Sequence, residues 1–138
     1  MNEKALRMLG LARRARLLDV GEEPVVILCR SGKARLFIVA SDAGEHTVRR
    51  AEHLCRDGKP ALFRAPFTKD ELGAALGCNA CALCAFSDAG FAASFLDALE
   101  GPARNDALLE TLRQLDARMR RRRDEARAHR NNVKHGKK

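Results

Sequence analysis

The chain has 138 residues, enough for one domain around a single core, and 46% of them are hydrophobic. Six Phe are the only aromatic residues, so an aliphatic core is expected and base stacking on aromatic platforms is nearly excluded as a mode of recognition. The formal net charge is +8, but residues 1–103 hold 14 Lys/Arg against 13 Asp/Glu while residues 104–138 hold 12 against 5, so the excess sits in the last segment and points to a polyanion: RNA, DNA or anionic lipid.

Residues 3–16 carry Leu6, Leu9 and Ala12 at helical spacing, with Arg13, Arg14 and Arg16 at the C-terminal end, where cations suit the helix dipole. Leu17–Val20 reads as a short strand. Gly21 opens a second helix, with Glu22 and Glu23 in its first turn, Pro24 where a missing N–H is tolerated, and Val25, Val26, Leu28 and Cys29 inward. Ser31-Gly32 ends it. The continuous apolar run Leu36–Ala40 predicts a strand buried on both faces. Asp42 with Glu45 three residues later predicts a capping box for a third helix, stopped by Asp57-Gly58. Ala61–Phe63 is a short strand, and Thr68 with Glu71 is a second capping box before a helix through Leu76. Cys81–Phe86 reads as a buried strand. Ser87-Asp88 caps a fifth helix with Phe91, Phe95, Leu96 and Leu99 inward, and Gly101-Pro102 breaks the chain. Alternation of helices and strands with short loops predicts a helix–sheet–helix sandwich with crossover connections.

Beyond Pro102 the character changes. Leu108, Leu109, Leu112, Leu115 and Met119 form one helical stripe, read as docking on the body in preference to a dimer coiled coil. Arg120, Arg121, Arg122 and Arg123 open a segment with little apolar surface, expected to stay frayed or disordered until it meets a polyanion. Met1–Gly10 lacks the apolar run of a signal peptide, and no stretch approaches the roughly 20 apolar residues of a membrane span, so a cytoplasmic protein with free thiols is expected.

Cys78, Cys81 and Cys84 are spaced to hold a metal or an iron–sulfur cluster, but a strand over 81–86 would send Cys81 and Cys84 to opposite faces and no fourth ligand is near; buried small residues are the preferred reading. His46 and His53 have no nucleophile at catalytic spacing. Neither a GxxxxGK[ST] loop nor a GxGxxG motif is present, which removes the usual marks of nucleotide hydrolysis and dinucleotide binding.

Leu9-Gly10-Leu11-Ala12-Arg13-Arg14-Ala15-Arg16, Gly21-Glu22-Glu23, Ser31-Gly32-Lys33-Ala34-Arg35-Leu36, Ala40-Ser41-Asp42-Ala43, Glu71-Leu72-Gly73 and Ser87-Asp88-Ala89-Gly90-Phe91-Ala92, in this order, resemble the bacterial YlxQ-type proteins of the ribosomal protein L-seven-Ae and L-thirty-e superfamily. The resemblance covers residues 1–100. It implies a three-layer α-β-α sandwich with a four-stranded mixed sheet, and RNA as ligand. Relatives of known function bind kink-turns through the start of the second helix and the loop after the last strand. Those places hold Gly21, Glu22 and Glu23, flanked by Arg30 and Lys33, and Ser87, Asp88, Ala89 and Gly90. A helix N-terminus offers free N–H groups to phosphate or guanine, and RNA is read best where bases are unstacked. The chain departs from the family where Glu23 replaces an Asn and Ile27 a Lys.

The expected protein is therefore a non-enzymatic RNA-binding monomer without cofactor, metal or membrane association, acting on ribosomal or regulatory RNA, with the ribosome as a further partner. Its α/β domain spans 1–101, and a basic amphipathic helix with a disordered tail spans 102–138. The arginine cluster Arg13, Arg14 and Arg16 is either a solvated helix end or a phosphate contact beside the second helix; Arg120–Arg123 are expected to touch RNA. Two other classes remain open: a metal or redox module on Cys78, Cys81 and Cys84, and an adaptor using the 108–119 leucine stripe.

Overall fold

A computed structural model describes residues 2–57 and 60–135. The elements are α1 (Glu3–Arg14), β1 (Leu18–Val20), α2 (Glu22–Arg30), β2 (Leu36–Val39), α3 (Glu45–Leu54), β3 (Ala61–Arg64), α4 (Lys69–Leu76), β4 (Leu83–Phe86), α5 (Ala89–Ala98), a 3-10 turn (Gly101–Ala103) and α6 (Asp106–His135). The sheet order is β1-β4-β2-β3. β2 and β3 are parallel, whereas β4 is antiparallel to both β1 and β2. This is the four-stranded mixed sheet expected.

Side chains alternate across the sheet as strand geometry requires. Leu36, Ile38, Phe63, Cys84 and Phe86 enter the larger core with α1, α4, α5 and α6. Phe37, Val39, Leu83 and Ala85 enter the smaller core with α2 and α3. The uninterrupted apolar runs of β2 and β4 follow from this, because both faces are covered. Phe95 of α5 is the centre of the larger core, edge-on to Phe63 at 6.2 Å and tilted against Phe86 at 5.7 Å.

Three expectations are corrected. Asp42 does not cap α3, whose N-cap is Gly44 without a side-chain bond. Parallel β2 and β3 end side by side, so the Asp42 carboxylate instead accepts from the Lys69 N–H at 2.8 Å, at the start of α4. The box on α4 itself forms: Thr68 Oγ1 accepts from Glu71 N–H, and Glu71 Oε1 from Thr68 N–H. Second, β4 begins at Leu83, two residues later than predicted; Cys81 lies in the preceding bend, its N–H bonded to Lys69 O, and shares one core with Cys84. Third, residues 120–135 are helical. Arg, Ala and Glu there are strong helix formers, and the turn already built on the body continues without a new nucleation cost. An i,i+4 pair of Asp116 with Arg120 at 3.1 Å bridges the two halves. The expected stop of α3 at Asp57-Gly58 lies partly outside the described residues.

The leucine stripe docks on the body. Leu109 and Leu112 are buried in the larger core, Leu108 and Leu115 pack against it, and α6 runs antiparallel along α5. Arg104 fixes the reversal, donating to Asp97 O, Leu99 O and the Asp97 and Asp106 carboxylates. The Asp97 carboxyl is held below its ordinary range chiefly by that hydrogen bond from Arg104. Core therefore continues past Gly101. Removal of residues 120–138 is expected to leave the urea midpoint unchanged, whereas removal of 104–138 uncovers α5 and abolishes the cooperative transition. Leu112→Ala should cost about 2–5 kcal/mol in the same measurement.

Candidate nucleic-acid interface

The sheet has two ends, and the register of β4 assigns every candidate residue to one of them. Gly21 donates its N–H to Leu83 O at 2.9 Å, where β4 begins. Ser87 donates to Leu17 O at 2.9 Å, where β4 has ended. About 13 Å of extended chain separates these points.

At the first end Gly21 is the N-cap of α2, with φ +96° and ψ 161°, a conformation that only glycine adopts readily. No side chain caps this helix. Pro24 has no N–H, and the Val25 N–H is used by Gly21 O at 3.1 Å. The amides of Glu22 and Glu23 are thus the two first-turn donors left without an intrahelical partner. Glu22 is turned toward α3, where Thr47 Oγ1 donates to Oε1 at 3.2 Å and Arg50 Nε lies 3.9 Å from Oε2. Glu23 is exposed, and Ile27, one turn on, is 67% exposed, a large apolar side chain presented to solvent. Glu22, Glu23, Val26, Ile27, Arg30 and Arg50 line a shallow depression that runs from there along α2 to its last turn.

The loop beside this helix start is Cys78–Ala82, because Ala82 O accepts from Ala40 N–H and Leu83 O from Gly21 N–H. Asn79 and Ala80 are exposed. Gly73 makes the loop's course possible: a Cβ at that position would stand 2.7 Å from Ala80 Cα. Cys78 N–H returns to Gly73 O and Cys81 N–H to Lys69 O, so α4 carries the loop.

The expected partnership of Gly21–Glu23 with Ser87–Gly90 does not occur. Ser87, Asp88, Ala89 and Gly90 lie at the other end of the sheet, where Asp88 caps α5 through Phe91 N–H at 2.8 Å and Ala89 is buried. Gly90 faces Asp116 of α6, so closely that a Cβ would lie 3.1 Å from Oδ1. Arg30 and Lys33 do not flank Gly21 either. The nine residues of α2 carry Arg30 about 13 Å away, and Arg35 N–H bonds Phe86 O at that far end. Arg16 is there too, next to the bond from Ser87 N–H to Leu17 O, not beside the start of α2. Arg13 donates to Leu76 O, tying α1 to the C-terminus of α4, while Arg14 and Arg16 are exposed. Sequence reasoning missed the Cys78–Ala82 loop, since nothing local in the chain reveals which strand end faces Gly21.

Among the described residues no three His, Cys, Asp or Glu side chains gather to hold a metal ion. Cys84 is raised by its hydrogen bond with Cys81 and by full burial, and Cys81 is lowered by the same bond. Burial, with Cys29 adding to it, pushes Cys55 up to about 12. At pH 8 roughly one Cys55 in ten thousand is thiolate, against about a quarter of an ordinary cysteine. Cys55 should therefore resist iodoacetamide at pH 8 and react promptly in urea; mass spectrometry of the alkylated peptides checks this. Among the described residues no helix is long and apolar enough to cross a membrane.

At this end a mixed four-stranded sheet presents an uncapped, glycine-started helix beside a carried loop, and the groups it offers are backbone donors with carboxylates and cations around them. No family profile matches the chain. It is 31% identical over 97 residues to the RNA-binding protein YlxQ of Bacillus subtilis strain 168, covering 67% of this chain and 92% of that protein. A YlxQ of Enterococcus faecium is 40% identical over 50 residues, 36% of this chain and 48% of that one. A solved structure of a protein of unknown function from Bacillus halodurans C superposes with a TM-score of 0.62 at 33% identity, over 78% of this chain and 97% of its own. The chain belongs to the YlxQ family.

Proposed function

We propose that this protein binds structured RNA without enzymatic action, that its preferred ligand is a kink-turn-like internal loop in ribosomal or regulatory RNA, and that it serves ribosome assembly or translation. The observation that carries the reading is the pair of unclaimed amides at Glu22 and Glu23, held at a sheet end beside the exposed Asn79–Ala80 backbone. A sharply bent loop presents phosphates and guanine edges at one spot. Free helix-start N–H groups suit the former, and the exposed Glu23 carboxylate accepts from guanine N–H groups. The adjoining loop supplies backbone against splayed nucleotides. No cofactor enters this chemistry. The relatives' name, RNA-binding protein, supports the ligand class.

The experiment compares a kink-turn RNA with a plain duplex of equal length, using the full chain. The kink-turn should bind at least tenfold tighter. Glu23→Ala should reduce that ratio several-fold. Ile27→Lys adds a cation one turn into α2 and should tighten kink-turn binding about threefold to tenfold, with a salt dependence steeper by roughly one counterion. Equal affinity for the two RNAs, unchanged by either substitution, would sink recognition at this end.

A further inference from the structure

The two ends of the sheet differ in charge, and the arginine-rich half of α6 extends past only one of them. At the Gly21 end stand Glu22, Glu23, Asp42, Glu45, Asp70 and Glu71. Two of the cations there are already engaged, Arg49 with Glu45 at 3.0 Å and Arg50 with Glu22. At the opposite end, the base, stand Arg16, Arg30, Lys33, Arg35 and Arg56. The acids there are few: Asp57 is exposed, Asp88 caps α5, and Asp116 pairs with Arg120. Among the described residues Arg16, Arg30 and Lys33 have no ion-pair partner, and all three are exposed.

Arg16 carries a second signal. Its φ is +62°, the left-handed conformation at the C-terminal cap of α1, where glycine is the unstrained choice. Its own N–H and that of Leu17 make the capping bonds, to Arg13 O and Ala12 O. A long cation held at a position built for glycine points to a use for the side chain.

The third observation is the direction of α6. It descends along α5, meets Gly90 with Asp116 at the base, and continues for residues 120–135, about 24 Å beyond the body. At 100° per residue, the face that docks through Leu109, Leu112 and Leu115 is continued below by Arg123, Arg127 and Arg130. Arg121 points the opposite way. The overhanging helix is therefore a wall whose inner face is cationic, and the base is a floor of free cations meeting it at a corner.

We propose that this corner is a second RNA site, one that grips the phosphate backbone of an A-form duplex with Arg16, Arg30 and Lys33 on one side and Arg123, Arg127 and Arg130 on the other. It rests on the reading of the protein as an RNA binder, but not on kink-turn recognition, which belongs to the other end of the sheet. The duplex is chosen because free cations on two surfaces at an angle match phosphates of both strands, and because the scarcity of aromatics leaves unpaired bases nothing to stack on. One molecule would then hold two RNA segments at opposite ends of its sheet.

The test measures affinity of the full chain for a plain RNA duplex across a salt series, and the kink-turn to duplex ratio alongside. Arg16→Gly should leave the melting temperature equal or higher while weakening duplex binding about threefold, with the salt slope reduced by roughly one. A joint change of Arg123, Arg127 and Arg130 to Gln, which keeps helix-forming residues, should weaken it at least 30-fold; Arg121→Gln should change it less than twofold. Both sets should leave the affinity for the kink-turn RNA within twofold of the parent's, so the kink-turn to duplex ratio rises in proportion to the duplex loss. Equal losses from Arg121→Gln and Arg123→Gln would show a tail without a face and overturn the proposal. So would an Arg16→Gly protein that binds as the parent does, or arginine-dependent binding to phosphatidylserine vesicles in place of the duplex. A ratio near one with duplex binding intact would defeat the kink-turn reading alone.

Discussion

The pairing of β4 with both β1 and β2 in antiparallel sense governs the rest of the molecule. Because β4 lies between them, Leu83 meets Gly21 at one end while Phe86 meets Leu18 and Arg35 at the other. The backbone bonds that close the sheet therefore sort the loops into two groups that cannot mix. The start of α2, the Ala40–Gly44 loop and the Cys78–Ala82 loop fall on one side; the ends of α1 and α2 and the Ser87–Gly90 turn fall on the other. Chemistry follows that partition: amide donors and carboxylates gather at the first end, free guanidinium groups at the second.

Much of this fold is legible in the chain. Leu36–Val39 and Leu83–Phe86 read as doubly buried strands because each is apolar at every position, and Thr68 with Glu71 reads as a helix start because the reciprocal box is a local interaction. What cannot be read is anything decided between segments distant in sequence. Asp42 has the local signature of a cap for α3 but serves α4, since parallel strands bring the two loops together. Cys81 has strand-like neighbours, yet a bond to Lys69 keeps it out of the strand and on the same side as Cys84. The candidate site suffered the same way. Gly21 as the start of α2 is legible, whereas the loop opposite it depends on register, and register is not written in Ser87–Gly90 or in Cys78–Ala82.

The C-terminal helix shows how a composition argument misleads at a junction. Arg120–Arg123 have the charge density of a segment that stays unfolded alone. They are not alone: two buried leucines and the seat of Asp116 on Gly90 hold the preceding turns, and a helix already formed extends by single hydrogen bonds. Docking of an apolar stripe thereby sets the rotational phase of cations that lie far beyond the docked surface. Leu112 and Arg130 belong to one face although only the first touches the body.

The hydrogen bond from Lys69 N–H to Asp42 joins this end of the molecule in a further way. Lys69 also supplies the carbonyl that accepts from Cys81 N–H, so a single residue receives support from the Asp42 loop through its amide and passes it on to the 78–82 bend through its oxygen. The exposed backbone of Asn79 and Ala80 is thus braced, by way of α4, by a carboxylate of the Ala40–Gly44 loop that does not touch it. Loosening at position 42 would register there as a change in how tightly that bend is held, a mechanical relay running along strand ends instead of through the core.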